Sequence, residues 1–211
     1  RPPMLTQPTK AGFDEFQCTT LVLLALLLAT MLPARIRSGK SGISQFATEG
    51  PLIFWMLRGA ALANLAAIIL HLFFPNTAAI FEYPLSNNLR RIGGCLSLLS
   101  LAPVFLSARA LGRNLTDSAG VKQNASLVTT GVYRYSRNPL YVFWTSYMVG
   151  VAMVGQNLLM LCSTGLLLIA IRLRLKIEES ELLKHFGPEF ESYCQRTGRF
   201  FPRFQKRRKR H

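Results

Sequence analysis

Residues 140–171 read LYVFWTSYMVGVAMVGQNLLMLCSTGLLLIAI, an apolar run of about 32 residues without a charged side chain, where about 20 suffice to cross a bilayer. One membrane helix therefore cannot contain the run. It is interrupted by small and polar residues that favour a turn, namely Gly150, Gly155, Gln156 and Asn157. We predict a tight helical hairpin with legs at 140–154 and 158–171.

Three further apolar runs precede the hairpin, at residues 16–31, 52–74 and 92–110. Half of all residues are hydrophobic and 17% are charged, which is typical of an integral membrane protein. Asp14 and Glu15 precede the first run where a signal peptide would carry basic residues, so we interpret that run as a mature helix. The sequence thus predicts an all-α fold with five transmembrane helices, of which the last two form the hairpin, and a cytoplasmic carboxy-terminal helical segment.

The distribution of lysine and arginine predicts the orientation of these helices. Basic residues follow the first and third runs, at Arg35, Arg37, Lys40, Arg113, Lys122, Arg134 and Arg137. With five spans these loops share one side, which the positive-inside rule makes cytoplasmic together with the carboxy terminus. The amino terminus and the loop at 75–89 then lie on the non-cytoplasmic side. Arg90 and Arg91 fall at that far end, where we expect them to mark the membrane interface.

The net charge of +15 is concentrated in the carboxy-terminal tail. We expect residues 203–211 to be disordered and to contact anionic lipid headgroups, since each basic residue near a membrane surface is attracted by about 1 kcal/mol. The sequence carries no recognisable nucleic-acid recognition module, so nucleic acid is not expected as a partner. The cysteines and histidines lack the spacing of a metal site, and no metal is expected either.

A polar, aromatic and turn-rich segment, LVTTGVYRYSRNPLY at 127–141, leads into the hairpin. Pro139 disfavours helical geometry at Asn138, so a helix should begin near Leu140. Backbone N–H groups at such a helix start can hold a polar ligand. Stacking faces for a flat ring or a cation are offered by Tyr133, Tyr135 and Tyr141. We therefore expect chemistry at this segment.

Charged residues also lie inside or next to the apolar runs. Arg174 precedes Glu178 by four positions where the last leg ends, which places both on one helix face. Alone, this pattern also fits an amphipathic helix with surface ion pairs of about 0.3–0.5 kcal/mol each. Arg58, within the second run, is interpreted as reaching the cytoplasmic interface rather than as a site residue.

The motifs of the carboxy-terminal half follow one another in a distinctive order. They are Leu111-Gly112-Arg113-Asn114, Gly131-Val132-Tyr133, Arg137-Asn138-Pro139-Leu140-Tyr141, Glu178-Glu179, and Phe186-Gly187-Pro188-Glu189-Phe190 with Tyr193, Arg196, Thr197 and Phe200-Phe201-Pro202. In order and spacing, residues 112–202 resemble the isoprenylcysteine carboxyl methyltransferase family, which is related to the phospholipid N-methyltransferases. The first two helices carry no such motif.

This resemblance implies methyl transfer from S-adenosylmethionine within the membrane, with a cofactor pocket made by a loop and the carboxy-terminal helices. In agreement, the sequence has no Gly-x-Gly-x-x-Gly fingerprint of a Rossmann fold. Carried over by position, the implied cofactor contacts are Ser118, Ala125, Ser126, Leu127, Val128, Tyr133, Asn138, Pro139, Leu140, Tyr141 and Glu178. The resemblance implies Arg174 as the residue that binds and positions the acceptor.

These residue types suit the chemistry that the resemblance implies. A carboxylate such as Glu178 can accept hydrogen bonds from the ribose diol of the cofactor. Methyl transfer is an in-line displacement, so the protein mainly has to align acceptor and sulfonium and needs no nucleophile of its own. Arg174 can pair with an acceptor that is anionic.

Two positions depart from the family pattern. Asn138 stands where a histidine usually precedes the proline, and Ala125 stands where a histidine often precedes the Leu-Val pair. Asparagine forms hydrogen bonds but does not titrate near neutral pH. The resemblance therefore supports cofactor binding at Asn138 more than proton transfer.

The sequence divides into three amino-terminal helices at 1–111, a methyltransferase core at 112–202 and the basic tail. The expected acceptor is amphipathic or lipid-linked and reaches the site between helices. Two alternatives stay open: a sterol-reductase-like oxidoreductase that uses NADPH, because such proteins have a similar Arg-x-Pro-x-Tyr turn, and a non-catalytic membrane scaffold. Neither the methylated atom nor the oligomeric state follows from the sequence.

Overall fold

The apolar runs of the sequence form the long helices of the structure, a computed structural model that describes residues 13–38, 44–115 and 119–203. In this part of the chain the α-helices are α1 (Glu15–Ser38), α2 (Gln45–Phe73), α3 (Pro75–Ala78), α4 (Asn87–Leu111), α5 (Pro139–Gly155), α6 (Leu158–Phe186) and α7 (Pro188–Arg196). Three short 3-10 helices lie between them, at Ala79–Phe81, Gly112–Asn114 and Gly131–Arg134. No β-strand occurs in these residues, which confirms the all-α class.

Four of the described helices, α1, α2, α4 and α6, are long and apolar enough to cross a membrane. The α5 helix has 17 residues and is apolar but shorter. At about 1.5 Å per residue its length is about 25 Å, against a hydrocarbon core of about 30 Å. The protein is thus a multi-pass membrane protein, whose described residues include four helices long enough to span a bilayer and one shorter apolar helix.

The turn between α5 and α6 consists of two residues, Gln156 and Asn157. Gln156 adopts the left-handed conformation with φ of 50° and ends α5. Asn157 caps α6, because its side-chain oxygen accepts the Met160 N–H at 3.1 Å. The α6 helix then continues well past residue 171, the predicted end of its membrane leg, and reaches Phe186.

Gly150 lies inside α5 and not in the turn, contrary to its interpretation as an interruption of the apolar run. There α5 crosses α4 so closely that a Cβ built on Gly93 would lie 2.8 Å from the Gly150 carbonyl oxygen. A Cβ on Gly150 would in turn meet the Gly93 carbonyl oxygen and lie 2.9 Å from the Ser97 nitrogen. Ser97 also donates to the Tyr147 carbonyl at 3.0 Å. Small residues are typical of such close helix crossings in membranes.

Arg90 and Arg91, the two basic residues at the far end, both have partners in the bundle. Arg90 donates from Nε to the Val154 carbonyl at 2.9 Å, where it satisfies the last turn of α5, and its guanidinium stacks on Phe16 at 3.5 Å from the ring centroid. Arg91 pairs with Glu15 on α1 at 3.2 Å between Nε and Oε1. Their positions follow from helix capping and ion pairing.

The core lies between α1, α2, α5 and the start of α6. Its buried side chains include Leu23, Ala67, Tyr147, Val151 and Met160. Contacts at both ends show that α2 and α6 run antiparallel. Asn64 donates to Ser163 Oγ at 3.0 Å near one end, and Glu49 meets Arg174 near the other. This second end of the bundle, where α5 begins, carries the candidate site.

Candidate functional site

A cavity of about 640 Å³ opens at the end of the bundle where α5 begins. Its wall combines the loop at 119–128, the start of α5 and the distal part of α6. A volume in this range fits a cofactor or a drug-sized ligand, for which pockets are typically about 300–1,000 Å³. Two regions of sequence that lie far apart in the chain thus form one concave site.

Most of the residues implied by the resemblance line this cavity. They are Ala125, Ser126, Leu127, Val128, Tyr133, Asn138, Leu140, Tyr141, Arg174 and Glu178. Pro139, the first residue of α5, is buried and does not line the cavity. Ser118 lies outside the described residues. Tyr135, considered as a stacking residue, is 60% exposed and is not part of the wall.

Glu178 on α6 and Tyr141 on α5 join the two helices inside the site. The Tyr141 hydroxyl donates to Glu178 Oε2 at 3.0 Å. This hydrogen bond occupies one oxygen of the carboxylate and orients the group. A carboxylate accepts more than one hydrogen bond, so Glu178 retains capacity for donors of a ligand.

Behind this pair, an ion network holds the chain that follows α7 against the start of α5. Arg137 and Arg199 both bind Glu179, with 3.1 Å from Arg137 Nη2 to Oε1 and 3.0 Å from Arg199 Nε to Oε1. Arg137 also donates from Nη1 to the Thr197 carbonyl at 2.7 Å. Its backbone N–H donates to the Gly198 carbonyl at 2.9 Å. The segment 197–203 is therefore attached directly to the site.

Asn138 takes part in the same attachment. Its Nδ2 donates to the Arg199 carbonyl at 3.1 Å, while its backbone N–H donates to Ser136 Oγ at 3.2 Å. The side chain is buried, with 7% exposed. An asparagine at the family's histidine position thus has a structural partner, which the sequence did not reveal.

Tyr133 and Tyr193 link the loop before α5 to α7. The Tyr193 hydroxyl donates to the Tyr133 carbonyl at 2.6 Å, and both side chains are buried. Burial raises the pKa of both phenols above the ordinary value, and the nearby Glu178 raises the pKa of Tyr133 further. Both phenols therefore remain protonated at physiological pH, and the Tyr193 hydroxyl keeps the proton that it donates.

Glu49 on α2 is a site residue that the sequence interpretation missed. Its Oε1 lies 3.4 Å from Arg174 Nε and accepts the Ala119 N–H at 2.8 Å. Its side chain is completely buried and the Arg174 side chain is 11% exposed. Arg174, expected to meet an acceptor, thus already has a carboxylate on one side. A signal was present, since Glu49 is an acid at the edge of an apolar run, directly before Gly50-Pro51.

The cavity also extends between the helices into apolar surroundings. This part of the wall contains Met31, Leu57, Ala61, Trp144, Leu167 and Ile171. Arg58 lies in the wall as well, where it donates to Gln45 Oε1 at 2.8 Å and stacks on Phe54. The first two helices therefore contribute side chains to the wall of the cavity. The site has one polar end and one apolar end.

Replacing Glu179 with alanine is expected to loosen the segment 197–203 without unfolding the bundle. The change removes the shared partner of Arg137 and Arg199, worth about 1–2 kcal/mol after allowance for the partial exposure of Arg199. The rate of tryptic cleavage in this segment should rise about fivefold to thirtyfold, because cleavage follows the population of the open form.

The matched control for this measurement is Glu181→Ala on the same helix. Glu181 pairs with Lys184 at 2.7 Å, and the Lys184 side chain is 70% exposed. Such a surface pair contributes little, so the cleavage rate of the control should equal that of the wild type. Equal rates for the two variants would contradict the attachment through Glu179.

The chain is similar in sequence to several known proteins. The family model for phospholipid methyltransferases matches residues 89–189. Protein-S-isoprenylcysteine O-methyltransferase from Saccharomyces cerevisiae is 28% identical over 149 residues, which cover 65% of this chain and 59% of that protein. Cobalt-zinc-cadmium resistance protein CzcN from Cupriavidus metallidurans is 35% identical over 115 residues, which cover 49% of this chain and 51% of that protein. The chain therefore spans between half and three fifths of the length of these relatives.

The fold is also shared with a solved structure, that of the eukaryotic intramembrane Ras methyltransferase ICMT (isoprenylcysteine carboxyl methyltransferase). The TM-score is 0.50 at 23% sequence identity, over 87% of this chain and 67% of that one. Among the described residues, no three His, Cys, Asp or Glu side chains are grouped as a metal site. The family model and the related sequences show that this chain is similar to phospholipid methyltransferases and isoprenylcysteine O-methyltransferases, the resemblance that its motifs predicted, and the solved structure shows the shared fold.

Proposed function

We propose that the protein transfers a methyl group from S-adenosylmethionine to an amphipathic or lipid-linked acceptor at the membrane surface. One observation carries the proposal: most of the implied cofactor residues and Arg174 line a single cavity that continues into an apolar space between helices. A polar cofactor and a lipid-like acceptor need such adjoining environments. The matched family and relatives support this assignment and offer no support for a sterol-reductase-like enzyme.

The residues present fit the cofactor by their chemistry. When bound, S-adenosylmethionine supplies an electrophilic methyl group on a sulfonium. Glu178, held by Tyr141, would accept hydrogen bonds from the ribose diol, and Tyr133 offers an aromatic wall beside it. We propose that the 125–128 stretch and the start of α5, from Asn138 to Tyr141, complete the cofactor contacts.

Alignment of the acceptor is the second task that we assign to the site. When a site holds two reactants in line, the reaction step no longer carries much of the entropic cost of bringing them together. Arg174 would bind and position the acceptor at the junction of the polar and apolar parts. The apolar wall between the helices would receive a hydrocarbon chain, since burying such a chain is favourable by about 0.8 kcal/mol per CH₂ group.

The proposed placement in the membrane has five crossings, with α5 and α6 as a hairpin. A short α5 is tolerated there because it is packed against α4 and borders the cavity rather than lipid alone. The amino terminus would be non-cytoplasmic, and the site and carboxy terminus cytoplasmic. Within the proposed division, residues 112–202 are the methyltransferase core and 1–111 the amino-terminal helices. Of the proposed lipid-binding tail at 203–211, residues 204–211 lie outside the described part.

Calorimetry with S-adenosylmethionine and, separately, with NADPH tests the cofactor. Binding of S-adenosylmethionine supports the proposal, binding of NADPH would favour the reductase, and binding of neither would favour a scaffold without catalysis. The pure protein in lipid nanodiscs is suited to this measurement, because the cavity is formed by membrane helices.

The acceptor is tested by comparing lipidated and water-soluble compounds. With radiolabelled S-adenosylmethionine, an N-acetyl S-isoprenylcysteine should be methylated, whereas N-acetylcysteine should give a kcat/KM lower by at least about 100-fold, since it cannot use the apolar wall. A phosphatidylethanolamine is the comparison acceptor for an amine. Equal turnover of the lipidated and the water-soluble compound would contradict an acceptor route between the helices.

A further inference from the structure

Glu49 comes from α2, outside the segment that carries the family motifs, yet it occupies the centre of the polar contacts behind the cavity. Its side chain has no exposed surface and its Oε2 has no hydrogen-bond partner. Burying a carboxylate costs several kcal/mol unless it is paired, so such a group requires a reason beyond helix packing. The two partners of its other oxygen supply one.

The first partner is Arg174. Glu49 approaches the inner guanidinium nitrogen, Nε, at 3.4 Å, while Arg174 still lines the cavity. Within the described residues, Arg174 forms an ion pair with no carboxylate other than Glu49. This contact is an ion pair in which Nε forms no hydrogen bond, and the guanidinium still presents its terminal donors as a planar fork, the geometry that suits a carboxylate or phosphate.

The second partner is the loop that leads to the 125–128 stretch. Glu49 Oε1 accepts the Ala119 N–H at 2.8 Å, and both groups are buried. The backbone directs Glu49 to this point, because Gly50 adopts a φ of 77° that breaks the helical path of α2 before Pro51 resumes it. One carboxylate thus contacts both the acceptor residue and the cofactor loop.

We propose that Glu49 is a positioning residue of the site: it aims Arg174 at the acceptor and holds the loop from Ala119 onward against the cofactor. The inference deepens the proposed function and rests on it. The two roles can be separated chemically. The contact with Arg174 requires a negative charge, whereas the contact with Ala119 N–H requires only an acceptor oxygen.

The test uses Glu49→Gln and Glu49→Ala in the full chain, with N-acetyl S-isoprenylcysteine as acceptor probe. Glutamine keeps an acceptor for Ala119 N–H, so the dissociation constant for S-adenosylmethionine should stay within about twofold while the acceptor KM rises about tenfold. Alanine removes both contacts, so the dissociation constant should rise about tenfold as well. Glu15→Gln at the opposite end is the control and should change neither value.

A double variant decides whether Glu49 acts through Arg174. Arg174→Gln alone should raise the acceptor KM, and adding Glu49→Gln should raise it no further, since the two changes remove one interaction. Additive effects would overturn the positioning role. A purely structural residue would give a different pattern. Both Glu49 variants would then show the same change in KM, the same change in the dissociation constant and the same fall in melting temperature, and this result would also overturn the positioning role.

The proposed function and this inference fail separately. If the wild type binds S-adenosylmethionine but does not methylate the probe, the assigned acceptor is wrong. The difference between Glu49→Ala and Glu49→Gln in cofactor binding still decides the loop contact in that case. Equal cofactor affinities for the two variants would overturn that contact.

Discussion

Gly150→Val is expected to destabilise the helix bundle more than any other single small-to-larger change discussed for this chain. A Cβ at this position meets Ser97 Oγ and also the Gly93 carbonyl oxygen and the Ser97 backbone nitrogen, so the clash involves the backbone of α4 and not only a movable side chain. Overpacking of this kind costs about 1–3 kcal/mol, and the upper end applies because both helices must separate. For a chain of this size the melting temperature should fall by roughly 10 °C.

The measurement is the melting temperature of the purified protein in detergent, together with the fraction that elutes as one species in size-exclusion chromatography. Gly165→Val on α6 and Gly59→Val on α2 are matched controls, since a Cβ at either position has no neighbour within 4 Å. Both should melt within about 2 °C of the wild type, as expected for a surface change of about 0.5 kcal/mol. If Gly150→Val melts with the controls, the close crossing of α4 and α5 does not determine stability.

Glu178→Ala is expected to weaken S-adenosylmethionine binding by about 10-fold to 100-fold. The variant loses hydrogen bonds to a charged acceptor, which are worth about 1.5–3 kcal/mol. The effect is large because the carboxylate already has a fixed orientation through the Tyr141 hydroxyl at 3.0 Å. Since no protein nucleophile is required, the loss should appear in cofactor affinity before it appears in the rate at saturation.

Isothermal calorimetry with S-adenosylmethionine measures this change, and Glu181→Ala, on an exposed part of the same helix, is the control. Glu178→Gln separates charge from shape, because the amide keeps one acceptor oxygen and should retain an intermediate affinity. A melting temperature near that of the wild type would show that Tyr141 tolerates the lost partner. An unchanged dissociation constant for Glu178→Ala would contradict the assigned role.

Much of the fold could be predicted because membrane helices are specified by local composition. The apolar runs located the long helices, although α1, α2 and α6 each extend beyond the run at one end. Pro139 placed the start of α5, since proline is favoured at the first helical position. Gly150 shows the limit of this reasoning. A glycine in an apolar run signals either a turn or a close helix contact, and only the position of Gly93 on another helix distinguishes the two.

The candidate site was predictable in part for a related reason. The spacing of Arg174 and Glu178 on one helix face and the motif order of residues 112–202 identified part of the residues that line the cavity. Glu49 could not be found in this way, because its partners lie on α6 and in the loop at Ala119, far from it in the chain. Nor could the hydrogen bond from Asn138 to the Arg199 carbonyl, which depends on where the chain after α7 returns.

The sequence by itself thus determined that this protein is an all-helical membrane protein with one polar, motif-bearing segment next to the helix that carries Arg174 and Glu178. Those features are local, and free energies of helix formation and membrane burial depend on residues near in sequence. Only the tertiary structure decided that Glu49 stands behind Arg174 and that Gly150 is a packing residue. Contacts between distant residues depend on how helices pack, and packing is a property of the whole bundle.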